Sequence, residues 1–111
     1  MVSAAIYCRI SRDGGGLGLG VIRQEELCRK LAAEKGWPVA EIYVDNDLSA
    51  YSGAPRPAYV RLLSDLQAGV VDAVLVVDQD RLTRYPRELE EFIVLADRLG
   101  VPLANVSGEI D

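Results

Sequence analysis

This chain of 111 residues contains no histidine. It therefore lacks the usual general base of serine or cysteine acyl transfer, and the imidazole ligand of most zinc sites. Cysteine is scarce: Cys8 and Cys28 stand alone, with no CxxC spacing, and are expected to be reduced core thiols rather than a disulfide or a metal site. Lysine is scarce as well, since ten of the twelve basic residues are arginine. No apolar run reaches the ~20 residues of a membrane span. The N-terminus also lacks the basic, apolar, small-residue pattern of a secretory signal. A soluble, cytoplasmic protein with no membrane partner is expected. The net charge of -5 argues against broad, nonspecific binding to nucleic acid.

With half of its residues hydrophobic, the chain has the makings of one folded domain. Val2 to Ile10 is an apolar, partly β-branched run suited to a buried strand. A glycine-rich loop over 13–20 follows. Val21 to Lys35 is helical, with Val21, Gln24, Leu27, Cys28, Leu31 and Ala32 on one face and Gly36 closing it. Val39 to Val44 reads as a second strand, and Asp45 to Arg56 as a polar loop. Pro57 opens a helix reaching about Ala68, with Tyr59, Leu62, Leu63 and Leu66 inward. Asp72 to Val77 is a third strand. Pro86 opens a last helix with Leu89, Phe92, Ile93, Leu95, Ala96 and Leu99 inward, and Val101 to Val106 is a fourth strand. This alternation predicts an α/β fold of three αβα layers, with a mostly parallel sheet of four or more strands.

In such folds the site lies beyond the carboxyl ends of the strands. The loops after Ile10, Val44 and Val77 all belong to that edge. They gather Arg9, Ser11, Arg12, Asp13, Asp45, Asp47, Ser49, Ser52, Arg56, Asp78, Asp80, Arg81 and Arg84. The glycine loop fits neither G-x-G-x-x-G nor GK[ST], so a nucleotide fingerprint is missing. The acids Asp45, Asp47, Asp78 and Asp80 could suggest a magnesium site, but such a site wants carboxylates at the end of the first strand, where Arg9 and Ser11 stand instead. A lone serine after a strand is usually a turn or cap residue. Its company changes the reading. Guanidinium groups favour an alkoxide and stabilise charge on the oxygens of a phosphoryl transition state, and their forks match phosphate. Ser11 among arginines thus points to phosphoryl transfer. Asp80 reads either as a partner orienting Arg81 or as a proton shuttle.

The segments YCRIS at 7–11, RQ at 23–24, DNDLSAYSG at 45–53, RPAY at 56–59 and DQDRLTR at 78–84 resemble the catalytic domain of serine site-specific recombinases, the resolvase/invertase group. SAYSG and the ELE after DRLTR look most like the large, integrase and transposase type. The resemblance implies that Ser11 attacks a DNA phosphodiester, becomes linked to a 5′ phosphate and frees a 3′ hydroxyl, with rejoining by reversal. It implies a phosphate-binding and transition-state role for Arg9, Arg81 and Arg84, with Asp80 as the acidic member. Gln24 and Arg56 would complete the site, and Asp45 and Ser49 would support it. No cofactor is implied, neither metal nor ATP. The implied partners are DNA and further copies of the protein, from dimer to tetramer. Members of the family continue into a further strand, a long oligomerisation helix and a DNA-binding region. Residues 1–111 are therefore expected to be a catalytic domain cut before these parts, binding DNA poorly and reacting weakly when alone. The alternative reading is a non-catalytic phosphate- or nucleotide-binding α/β module.

Overall fold

Strand β1, Ala4–Ser11, alternates between two apolar layers and is the axis of the molecule. The computed structural model describes residues 2–11, 20–47, 56–78, 82 and 86–106. After β1 come α1 (Val21–Lys35), β2 (Val39–Asp47), α2 (Pro57–Ala68), β3 (Ala73–Val76), α3 (Pro86–Leu99) and β4 (Leu103–Asn105). The four strands are parallel in the order β2-β1-β3-β4. The step from β1 to β2 runs one way and the later steps run the other. Right-handed crossovers then require α1 on one face and α2 and α3 on the opposite face. The packing obeys this. Ala4, Ile6 and Cys8 meet Cys28 and Ala32 of α1, with Ala73, Leu75 and Val77 beside them. Ala5 and Tyr7 belong to the other layer, with Tyr43, Leu62, Leu66, Val74, Val76, Phe92 and Ala96.

The helix boundaries follow from proline and glycine. Pro57 and Pro86 occupy first-turn positions, where a missing N–H costs nothing. Gly36 and Gly69 end α1 and α2 in the left-handed region, at φ 73° and 80°, and their N–H groups return to carbonyls of the last turn. Two expectations need correction. Asp45 does not begin a loop, because β2 runs on through Asp47 and pairs Asp45 with Arg9 and Asp47 with Ser11. Ile93 and Leu99 are not inward. They stand 46% and 38% exposed, because α3 rests on the sheet along a narrow seam whose buried residues are Phe92 and Ala96. No helix among the described residues is long and apolar enough to cross a membrane.

Both thiols are free and buried. Burial pushes Cys8 up to about 11, helped by the charge of Glu25, and pushes Cys28 up to about 12, helped by Cys8. Tyr59 is likewise pushed up to about 12, chiefly by burial and then by Glu88. All three are acids held neutral by the fold. Unfolding returns the thiols to their ordinary value of 9.0, so the unfolded chain sheds protons first as pH rises. The thiols' contribution to stability should accordingly be level below pH ~9 and fall as pH rises through ~11. Urea midpoints measured across that range check the sign, and both thiols should resist a disulfide reagent at neutral pH until the chain unfolds. Leu62→Ala, at a fully buried position, should cost about 3 kcal/mol in urea unfolding. Ile93→Ser, on the exposed side of α3, should stay within about 0.5 kcal/mol of the parent.

Candidate active site

The carboxyl edge of the sheet is organised by one side chain, Asp45, near the end of β2. Its Oδ2 accepts the Tyr7 hydroxyl at 2.6 Å and the N–H of Tyr59 at 2.9 Å, and its Oδ1 accepts the N–H of Ala58 at 2.8 Å. Arg56 stands at the N-cap of α2 but makes no side-chain capping bond. Asp45 takes over that task from a neighbouring strand. Pro57 has no N–H to satisfy, Asp45 receives the next two, and Val60 starts the helical ladder by donating to the Arg56 carbonyl at 3.1 Å. A carboxylate at this end also faces the favourable pole of the helix. Tyr7 is raised above the ordinary phenol value by burial, then by its bond to Asp45. With three donors on its two oxygens, this carboxylate has little left to offer a cation. Among the described residues no cluster of three potential metal ligands occurs.

Arg56 is buried under this cap. Nη1 donates to Glu88 Oε1 at 2.9 Å, Nη2 donates to the Leu82 carbonyl at 2.7 Å, and the guanidinium lies 4.1 Å from the centre of the Tyr59 ring. Burial opposes its charge, but Glu88 and the Tyr7 hydroxyl together outweigh that cost and Arg56 is raised overall. Nε has no hydrogen-bond partner among the described residues. Arg56 therefore bonds inward, tying the start of α2 to α3 and to the backbone between Arg81 and Arg84.

Gln24 closes the other flank of β1. The strand pairs with β3 only as far as Ile6, opposite Leu75, yet pairs with β2 all the way to Ser11. Beyond Ile6 the β3 side of β1 needs other partners, and Gln24 of α1 supplies them. Its Nε2 donates to the Arg9 carbonyl at 3.1 Å, and its Oε1 accepts the Arg9 N–H at 3.2 Å. One side-chain amide thus imitates a strand neighbour, two residues before Ser11.

The expected site residues divide accordingly. Arg9, Gln24, Asp45 and Arg56 are all buried at the carboxyl edge. Ser11 ends β1 with its backbone in register with Asp47. Asp80, Arg81, Arg84 and Ser49 lie outside the described residues, as does most of the glycine loop. Tyr7 and Glu88 went unnoticed as site residues. A tyrosine inside a buried strand is itself a signal, since its hydroxyl must find a partner. Glu88 gave none, because an acid in a first helical turn is ordinary.

Removing the carboxylate strands three donors at once. Asp45→Ala should destabilise by about 3 kcal/mol or more, whereas Tyr7→Phe, which removes a single donor, should cost about 1 kcal/mol. A double-mutant cycle in urea should show the two changes to be strongly non-additive.

Residues 4–111 match the model of the protein family described as "Resolvase, N terminal domain". A putative DNA recombinase of Bacillus subtilis (strain 168) is 33% identical over 109 residues, which are 95% of this chain but only 20% of that relative. The N-terminal catalytic domain of TP901-1 integrase superposes with a TM-score of 0.81 at 29% identity, covering 98% of this chain and 80% of that one. The C-terminal catalytic domain of ISC1926 TnpA, an IS607-like serine recombinase, gives 0.75 at 30% identity, covering 99% and 71%. A resolvase family site-specific recombinase from Streptococcus pneumoniae shares the fold, at 0.83 and 23% identity over 100% of this chain and 76% of that one. Sequence and backbone agree over nearly all of the chain, and the chain belongs to the resolvase N-terminal domain family.

Proposed function

We propose that this chain is the catalytic domain of a DNA site-specific recombinase working through a covalent phosphoserine. The Ser11 hydroxyl attacks a backbone phosphorus. A new oxygen–phosphorus bond forms, the bond to the 3′ oxygen breaks, and that oxygen leaves as a 3′ hydroxyl once protonated. The serine proton passes to solvent or a nearby base, and the reverse step rejoins the strands. One phosphodiester replaces another, so the exchange needs no external energy source. Arg9, Arg81 and Arg84 bind the phosphate and stabilise its developing charge, and Asp80 orients them or carries a proton. Gln24, Asp45 and Arg56 are positioning residues, and Ser49 supports the site. DNA is the substrate, and the active form is an assembly of copies, from dimer to tetramer. The 111 residues are one part of a longer protein that supplies the oligomerisation helix and the sequence-specific grip.

The observation that carries this reading is the treatment of β1. Its end is held by β2 on one side and by the Gln24 amide on the other, so the backbone leading into Ser11 is fixed within a sheet that reverses its strand order at this point. A nucleophile in a chain without histidine depends on such fixed placement beside cations.

The test is adduct formation by the full-length protein in EDTA. The probe is a duplex selected from a random-sequence pool by its binding to that protein, and the reaction is quenched with denaturant. DNA should migrate with the protein, and Ser11→Ala should abolish this. Arg81→Lys keeps the charge but loses the fork, and should slow the adduct about 100-fold. DNA binding without any adduct would instead favour a non-catalytic phosphate-binding module.

A further inference from the structure

We infer that Glu88 is a positioning residue for this site: through Arg56 it fixes the backbone at Leu82, between Arg81 and Arg84, relative to the strand that ends in Ser11. The inference rests on the recombinase reading above. Glu88 lies in the first turn of α3, whereas Arg56 precedes α2 by one residue, and their side chains are separated by 32 positions in sequence. Their bond spans the two helices that cover the same face of the sheet.

The guanidinium is a planar fork, so its two terminal nitrogens cannot be aimed independently. Once Glu88 holds Nη1 at 2.9 Å and the Tyr59 ring fixes the plane at 4.1 Å, Nη2 has one direction left. It spends that direction on the Leu82 carbonyl at 2.7 Å. Tyr59 is in turn fixed by its N–H to Asp45, and Asp45 by the Tyr7 hydroxyl of β1. The contacts therefore run without a break from β1 to the backbone of Leu82. They set the distance between the strand that ends in Ser11 and the Leu82 carbonyl. Without the Glu88 carboxylate, Arg56 keeps its charge but loses the anchor that orients it. The Leu82 carbonyl then loses a directed donor, while Ser11, Arg81 and Arg84 are unchanged in sequence.

The test pairs reaction with spectroscopy on Glu88→Ala and Glu88→Gln, with Glu90→Ala as an exposed control in the same helix. For the full-length protein, the first-order rate of adduct formation is measured at saturating concentrations of the selected duplex, together with DNA affinity. For the 111-residue chain, the carbonyl carbon resonance of Leu82 is followed at a temperature where circular dichroism shows every variant folded. Glu88→Ala should slow the adduct roughly tenfold to a hundredfold with DNA affinity unchanged, and should shift the Leu82 carbonyl. Glu88→Gln keeps an acceptor oxygen and should fall between Ala and the parent on both readouts, and Glu90→Ala should match the parent. A parental rate in Glu88→Ala, a rate lost only in step with DNA affinity, or an unmoved Leu82 carbonyl would each overturn the inference. A parent protein that forms no adduct overturns the recombinase reading and the role of Glu88 with it. A shifted Leu82 resonance would then mark the contact as structural only.

Discussion

A buried carboxylate must be surrounded by donors or give up its charge, and most of this sheet edge is arranged to surround Asp45. Desolvating such an anion costs several kcal/mol, while hydrogen bonds to a charged group return about 1.5–3 kcal/mol each. Three of them, from the Tyr7 hydroxyl and the N–H groups of Ala58 and Tyr59, make the position tolerable. The requirement works in both directions. Because Asp45 needs those donors, α2 can start only where its first turn reaches β2, and Tyr7 must lie in the neighbouring strand. That start point places Arg56, and Arg56 reaches Glu88 and Leu82. The geometry of the edge is thus inherited from one charge.

The absence of histidine gives this network its character. None of its side chains has an ordinary pKa near neutrality, so it is built from arginine, carboxylate and phenol. Proton supply at the edge is not set by a titrating imidazole, and catalysis by such a site leans on fixed charge and placement. The net charge of -5 fits the same division of labour. Affinity for a polyanion comes largely from neutralised phosphates and released counterions, and a net charge of -5 works against it. Among the described residues, the buried arginines Arg9 and Arg56 both stand at the carboxyl edge of the sheet.

Much of the architecture could be read from residues whose constraints are local. Pro57 and Pro86 start helices, and Gly36, Gly69 and Gly100 end them, because φ and N–H limits act within a few residues. The apolar runs give the strands, and alternation gives the layers. Features that depend on partners far along the chain were harder to read. Asp45, Asn46 and Asp47 have a loop's composition but continue β2, because Arg9, Ile10 and Ser11 are there to pair with them. Ile93 and Leu99 fit a helical face, yet α3 buries a narrower one, whose buried residues are Phe92 and Ala96. Gln24 was legible as a site residue only by resemblance. As a polar residue on an apolar stripe it looks like an exception, until the unpaired flank of β1 shows what it replaces.

The same distinction separates two ways in which a residue belongs to such a site. Among the expected site residues, Arg9, Ser11, Arg81 and Arg84 could be singled out by side-chain chemistry, since guanidinium forks match phosphate. Gln24, Asp45 and Arg56 act on the backbone of others, and Tyr7 and Glu88 hold Asp45 and Arg56 in place. Gln24 grips both polar atoms of Arg9, Asp45 grips two amides of α2, and Arg56 grips the Leu82 carbonyl. Backbone atoms carry no sequence signature, so such residues can be recognised only after the chain is folded. Each of these three supports is a directed hydrogen bond between a buried side chain and a backbone atom.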